Sequence, residues 1–247
     1  SILAYDEKSG LLGGAVQSHY FCVGTSVLWA EAGVGIVATQ ALVNFEIGRS
    51  GLRLLSLGYD PDGAMGTMLA SDEGRENRQT AFLDASGRFA VHTGRRCIRE
   101  ASHTLGRSCC AQANMMKKET VPLAMKKAFE GCSGPLETRL LAALKAAQAE
   151  GGDIRGMQSA AMVIVPTRRT GSPQTDKPLD LRVDDHKTPL DELERLMTLR
   201  RAYDLMDQAD KALERNMTGE AMEFYGEAER LWPDNPEMRF WHGITLA

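Results

Sequence analysis

The sequence has no apolar run approaching the ~20 residues that span a bilayer, so no membrane helix is expected. It has no basic stretch followed by an apolar segment at its start, which excludes a secretory leader from the reading. No broad positive field is present either. The 29 Lys and Arg residues stand against 33 acids, the net charge is −4, and the cations are scattered rather than striped, so nucleic acid is not an expected partner. Cysteine is sparse and odd in number: Cys22, Cys97, Cys109, Cys110 and Cys132 follow no framework spacing, which fits reduced thiols and a cytoplasmic setting. Three familiar signatures are also missing, the G-x-S-x-G elbow, the P-loop and H-E-x-x-H.

What is present divides in two. Up to about Val183 the chain alternates strand-like runs with glycine turns. From Pro189 onward it is nearly free of glycine and reads as amphipathic helix. This predicts a domain over 1–187 and a helical region over 188–247. At 247 residues and 43% hydrophobic content, the chain can bury one large core with a small appendage.

Strands are expected at Ser1–Asp6 and Leu11–Ser18, joined as a hairpin, and at Gly35–Thr39, Arg78–Asp84, Arg88–Thr93, Cys110–Asn114 and Gln158–Val165. Helices are expected at Gly48–Leu57, at Ala64–Ala70 behind an Asp60-Pro61 start, and at Val121–Glu130 and Leu136–Glu150. Grouped strands with two adjacent helices between them predict layered sheets under helices, not a doubly wound parallel sheet. In the tail, Ala221, Tyr225, Ala228 and Pro233 match the second half of a tetratricopeptide unit, without the tryptophan and glycine of its first helix.

Gly33-Val34-Gly35-Ile36-Val37-Ala38 fits G-x-G-x-x-A, but it runs on as a strand, so it reads as a turn feeding a core strand and not as a dinucleotide site. Cys97, His103, Cys109 and Cys110 are spaced too irregularly for zinc; no metal and no cofactor is expected. Cys22 with His92 stays open as a nucleophile pair.

Ser1 carries both a hydroxyl and an α-amine whose ordinary pKa of ~7.7–8.0 suits a general base. The plain alternative is a serine left by methionine removal or tag cleavage. Gly152 to Ser159 forms a glycine-bounded polar loop entering a buried strand, which offers Asp153, Arg155, Gln158 and Ser159 to a pocket. Arg155 would bind a substrate carboxylate. The other reading is that Asp153 and Arg155 brace the loop. Asn114, ending its strand, would donate to an oxyanion or cap a turn. Gln40 and Asn44 follow the third strand and suit substrate contacts or loop hydrogen bonds. Asp184-Asp185-His186 reads as a charge cluster ahead of a helix, the other reading being that it orients catalytic groups or binds a cation.

The segments SILAYDEKSGLLGGAVQSHYFCVG, AEAGVGIVATQAL, SDEGRENRQTAFLDASGRFAVHTGRRCI, AQANMM, GGDIRGMQSAAMVIV and LDLRVDDH, in this order over roughly residues 1 to 200, resemble domain-of-unknown-function family 1028 of the N-terminal nucleophile (Ntn) hydrolase superfamily. The resemblance implies an α+β fold, a four-layer αββα sandwich, with the first strand's amino end in the cleft between two antiparallel sheets. It also implies hydrolysis of a linear or cyclic amide in a small amide, ureido or peptide-like substrate. Ser1 then becomes the expected nucleophile, with Asn114 and Asp153 catalytic and Gln40, Asn44, Arg155, Gln158 and Ser159 binding substrate. Many family members open with Met-Thr-aromatic ahead of the Ser-Ile pair; with those residues the threonine would be the nucleophile. The tail resembles an extension labelled peptidoglycan-binding in some members. A homodimer and a peptide or protein partner at the helical tail are also expected, and the rival reading is a non-catalytic binding protein.

Overall fold

A computed structural model describes residues 1–246. It separates into two units, Ser1–Leu190 and the residues from Asp191 onward. The first unit opens on a hairpin of β1 (Ile2–Asp6) and β2 (Leu11–Ser18). Then come α1 (Val23–Val27), β3 (Leu28–Glu31), β4 (Gly35–Ala41), α2 (Phe45–Ser56) and α3 (Pro61–Ala70). A hairpin of β5 (Arg78–Asp84) and β6 (Phe89–Thr93) precedes β7 (Ser102–Leu105) and β8 (Cys109–Ala113). The unit closes with α4 (Val121–Gly131), α5 (Leu136–Ala149), β9 (Ser159–Pro166), the single turn α6 (Pro173–Asp176) and β10 (Leu179–Val183).

The fold is mixed α and β, with two antiparallel sheets and nine α-helices among the described residues. One sheet has six strands in the order β10-β9-β2-β1-β8-β7, and the other has four, β3-β4-β5-β6. β9 is buried from Ser159 to Val165, as its unbroken run of Ala, Met, Val and Ile requires of an inner strand covered on both faces.

The sheets meet through Leu3, Leu12 and Val16 on the six-stranded side and Ile36, Ala38, Ala81 and Leu83 on the other. On the outer face of the four-stranded sheet, Val37, Phe82 and Ala90 pack with Ile47, Leu55, Ala64 and Met68 of α2 and α3. Side chains alternate along a strand, so these two clusters take opposite faces of β4 and β5.

Gly13 and Gly14 show why β2 admits close neighbours on both faces. A Cβ on Gly13 would lie 2.6 Å from Leu140 Cδ1 of α5, and one on Gly14 would lie 3.2 Å from Leu28 Cδ2 and Leu3 Cδ2. Only hydrogen at these positions lets helix and sheet both approach the strand.

Asp60 caps α3 by accepting from Gly63 N at 2.7 Å, with Pro61 in the first turn. The G-x-G-x-x-A stretch is the β3–β4 connection followed by β4, and no helix opens there. Among the described residues, no helix is long and apolar enough to cross a membrane.

The second unit is helical. In it α7 (Pro189–Glu214), which starts at the boundary, is followed by α8 (Thr218–Leu231) and α9 (Pro236–Leu246). Its own core holds Ala202, Leu205, Met206 and Ala209 of α7 against Ala221, Tyr225 and Ala228 of α8 and Met238 of α9. The small alanines allow close helix approach, and the Tyr225 hydroxyl donates to the Asp210 carboxylate.

Candidate active site

Ser1 sits at the tip of β1, inside the six-stranded sheet, and is 9% exposed. Its carbonyl accepts from Gln112 N at 2.9 Å, and its α-amine donates to Gln112 O at 2.8 Å, so β8 holds the chain end on both sides. The hydroxyl donates to Gln40 Oε1 at 2.6 Å and accepts from Gln112 Nε2 at 3.2 Å. In a chain that begins at Ser1, burial lowers the α-amine from its ordinary 8.0 to about 5. At neutral pH such an amine is unprotonated and can accept a proton.

Gln40 and Asn114 reach the same place from two sheets. Gln40 lies near the end of β4, and Asn114 directly follows β8. Each precedes a non-glycine residue in the left-handed region, Ala41 at φ 71° and Met115 at φ 59°. Backbone held in this region costs roughly 1–3 kcal/mol and persists where surrounding structure enforces it. Between them stands Gln79, fully buried on β5. Its Oε1 accepts from Gln40 Nε2 at 2.6 Å and from Asn114 Nδ2 at 3.1 Å. Its Nε2 faces Thr93 Oγ1 at 2.9 Å and the carbonyls of Ala113 and Ser102 at 3.0 and 3.1 Å.

A cavity of about 120 Å³ opens beside Ser1. Gln40, Asn114, Asp153 and Arg155 line it, and the rest of its wall is mostly aliphatic and methionine side chains. Asp153 and Arg155 form a two-pronged pair, Nε to Oδ1 at 2.9 Å and Nη2 to Oδ2 at 2.6 Å. Burial opposes ionisation of Asp153, but hydrogen bonds and charge from Arg155 outweigh it and hold its carboxyl below the ordinary value.

The remaining expected site residues lie elsewhere. Asn44 caps α2, accepting from Glu46 N at 3.0 Å, and donates to Asp72 at 3.2 Å. Ser159 is fully buried; its hydroxyl donates to Tyr20 O and accepts from Val23 N at 3.2 Å. Gln158 donates to Asp185 at 3.2 Å. None of the three is among the residues that line the cavity.

Burial raises Cys109 to about 11 and Cys110 to about 12, which leaves both as thiols. Burial followed by Asp184 raises Cys22, while His92 contacts the Arg75 carbonyl. Among the described residues, no group of three or more His, Cys, Asp or Glu could hold a metal ion.

Sequence reading missed Gln79 and Gln112. A signal is present for Gln112, the lone polar residue of the apolar strand CCAQA, and is weaker for Gln79, which shares RQTAFLD with Arg78, Thr80 and Asp84.

No curated protein matches the chain. Among solved structures, a crystal structure of a DUF1028 protein from Silicibacter pomeroyi is similar at TM-score 0.72 and 34% identity, covering 79% of this chain and 83% of that one. Anbu (ancestral beta-subunit) from Yersinia bercovieri is similar at TM-score 0.41 and 12% identity, over 78% of this chain and 90% of that one. A family model described as a family of unknown function, DUF1028, matches residues 1–193. With that match over most of its length, the chain belongs to the DUF1028 family.

Proposed function

We propose that this protein is an Ntn-type hydrolase that cleaves a carbon–nitrogen amide bond with the residue at the tip of β1. The observation that carries the reading is Ser1 itself: a hydroxyl on a cavity wall, in the same residue as a buried amine that is neutral at pH 7. The hydroxyl oxygen attacks the amide carbon, and its proton passes to the α-amine and then to the leaving nitrogen as the C–N bond breaks. Water then hydrolyses the acyl ester by the reverse proton route, restoring Ser1. Asn114 keeps one N–H on Gln79 and has a second to offer a developing oxyanion. Gln40 holds the resting hydroxyl, and Asp153 with Arg155 lines the mouth.

This reading includes a four-layer αββα order, supported by the separate cores between the sheets and beneath α2 and α3. It treats 1–187 as the catalytic domain and the rest as a tetratricopeptide-like appendage. Its buried Ala221, Tyr225 and Ala228 support that part, and Phe240 and Trp241, both exposed, offer a partner contact. A cytoplasmic homodimer completes the proposal.

The test is covalent. The protein is isolated from its native host, its first residue is read by mass spectrometry, and it is treated with p-nitrophenyl acetate. One acetyl group mapped to residue one, absent in Ser1→Ala, is expected. Equal acetylation of Ser1→Ala at the same rate overturns the assignment. If a Thr-aromatic pair precedes Ser1, the same label moves to the threonine.

A further inference from the structure

β2 presents Val16 to the core between the sheets, whereas its neighbour Gln17 donates to Leu144 O of α5 on the opposite face at 3.5 Å. The cavity touches both residues. Its wall therefore draws on both faces of β2 near Ser1, which divides it into a between-sheet lobe and a helix-side lobe.

Val16, Val23 and Val27 of its wall belong to the core between the sheets. On the helix side the wall includes Val121 and Met125 of α4 and Leu144 and Ala147 of α5, with Met115 and Met116 on the connection from β8 to α4. Val121, Met125 and Leu144 are at most 1% exposed, so they form a floor and not a surface. No charged side chain belongs to that floor, and the charges of Asp153 and Arg155 at the mouth cancel in their own pair. Methionine side chains are flexible and polarisable, and they adapt to unbranched chains. Gln17 and Gln148, also on the wall, carry side-chain oxygens without a donor, which suits the N–H groups of an amide. The rim continues the apolar character: Tyr20 lines the cavity, and Leu42 and Ile154, which adjoin lining residues, are 58% exposed.

From this we infer that the site takes neutral carboxamides bearing a linear aliphatic acyl chain, with the chain in the methionine-walled helix-side lobe. The inference rests on the hydrolase reading only for the fate of the amide, because chain binding needs no turnover.

The experiment uses the full-length Ser1→Ala variant, labelled at the methionine methyl carbons, titrated with acetamide, butanamide, hexanamide and octanamide. Each buried methylene is worth about a fourfold gain in affinity, so hexanamide is expected to bind on the order of a hundredfold tighter than acetamide. The Met115, Met116 and Met125 methyl signals are expected to shift. Ala147→Met, which fills the lobe without adding charge, is expected to abolish the chain-length gain. Val43→Met, on the stretch of wall between β4 and α2, is expected to preserve the gain, and methyl spectra report whether each variant is folded. Affinity independent of chain length overturns the inference, as does a gain lost in Val43→Met and kept in Ala147→Met. Hydrolysis of acetamide with flat chain dependence overturns it while leaving the hydrolase reading intact. Chain-dependent binding with no ammonia released by the wild type upholds the lobe and overturns the hydrolase reading instead.

Discussion

Gln79 accepts a 2.6 Å hydrogen bond from Gln40, its neighbour across the β4–β5 ladder, and the pair links the candidate nucleophile to the interior of both sheets. The donors run in one direction. Ser1 donates to Gln40, Gln40 to Gln79 and Gln79 to Thr93, whose hydroxyl lies 2.8 Å from His103 Nδ1. Chains of aligned hydrogen bonds polarise one another, so removing a middle link acts on both ends.

Gln79→Leu keeps the volume and deletes both roles of the amide. It strands the Nε2 group of Gln40 and leaves Asn114 without its acceptor. The expected loss is about 2–4 kcal/mol of stability, read as a lower urea midpoint at unchanged slope. Acetylation of Ser1 by p-nitrophenyl acetate is expected to slow as well, because Gln40 is no longer fixed. A midpoint within experimental error of wild type would remove Gln79 from the organisation of the site.

The α-amine makes a prediction about pH for a chain beginning at Ser1. Its folded pKa of about 5 lies below its ordinary 8.0, so between these values the unfolded chain binds the extra proton. This contribution to stability is fully present above pH 8 and is lost as pH falls toward 5, by roughly 4 kcal/mol in total. The acetylation rate is expected to rise through about pH 5 and level off. A rise centred near pH 8 would mean a hydrated amine. N-terminal acetylation is expected to abolish both dependences.

Asp72 behaves with the opposite charge. The Arg78 guanidinium and the Asn44 amide hold its carboxyl at about 2, below the ordinary 3.8. The stability this provides is present above pH 4 and fades as pH falls through about 2. Asp72→Asn is expected to cost about 2 kcal/mol at pH 7 and almost nothing at pH 2, measured by denaturation at both values.

How far residues announce themselves in sequence depends on what their polar atoms do after folding. The strands Leu11–Ser18 and Arg78–Asp84 carry unbroken buried runs bounded by turns, and their expected limits match the observed ones. β3 and β7 were not legible because each is a four-residue edge strand with no fully buried position. The helix over Gly48–Leu57 begins earlier, at Phe45, because Asn44 serves as its cap instead of facing the cavity. That capping role also separates Asn44 from Gln40, which stays within β4. Ser159 and Gln158 were equally ambiguous: a polar residue entering a buried strand can face a pocket or tie down the preceding loop, and periodicity does not choose between them. Asp153 and Arg155 line the cavity and also bond each other, so the bracing contact read from their loop stands on the cavity wall itself.

That double character can be separated by a mutant cycle. Arg155→Met removes the cation from a carboxylate whose side chain is 8% exposed, leaving Asp153 only the backbone N–H groups of Arg155 and His19, at 2.9 and 3.3 Å. Asp153→Asn leaves Arg155, 37% exposed at its side chain, free to turn into water. The two losses are therefore unequal: Arg155→Met is expected to cost about 1–2 kcal/mol at pH 7 and Asp153→Asn less, with a coupling energy near 1 kcal/mol. Because Asp153 is held below its ordinary pKa, the coupling is present above pH 4 and shrinks as pH falls through the depressed value. If Arg155 instead acts mainly on a substrate carboxylate, the cycle yields no coupling, and Arg155→Met weakens binding of carboxylate-bearing amides while leaving alkanamides untouched.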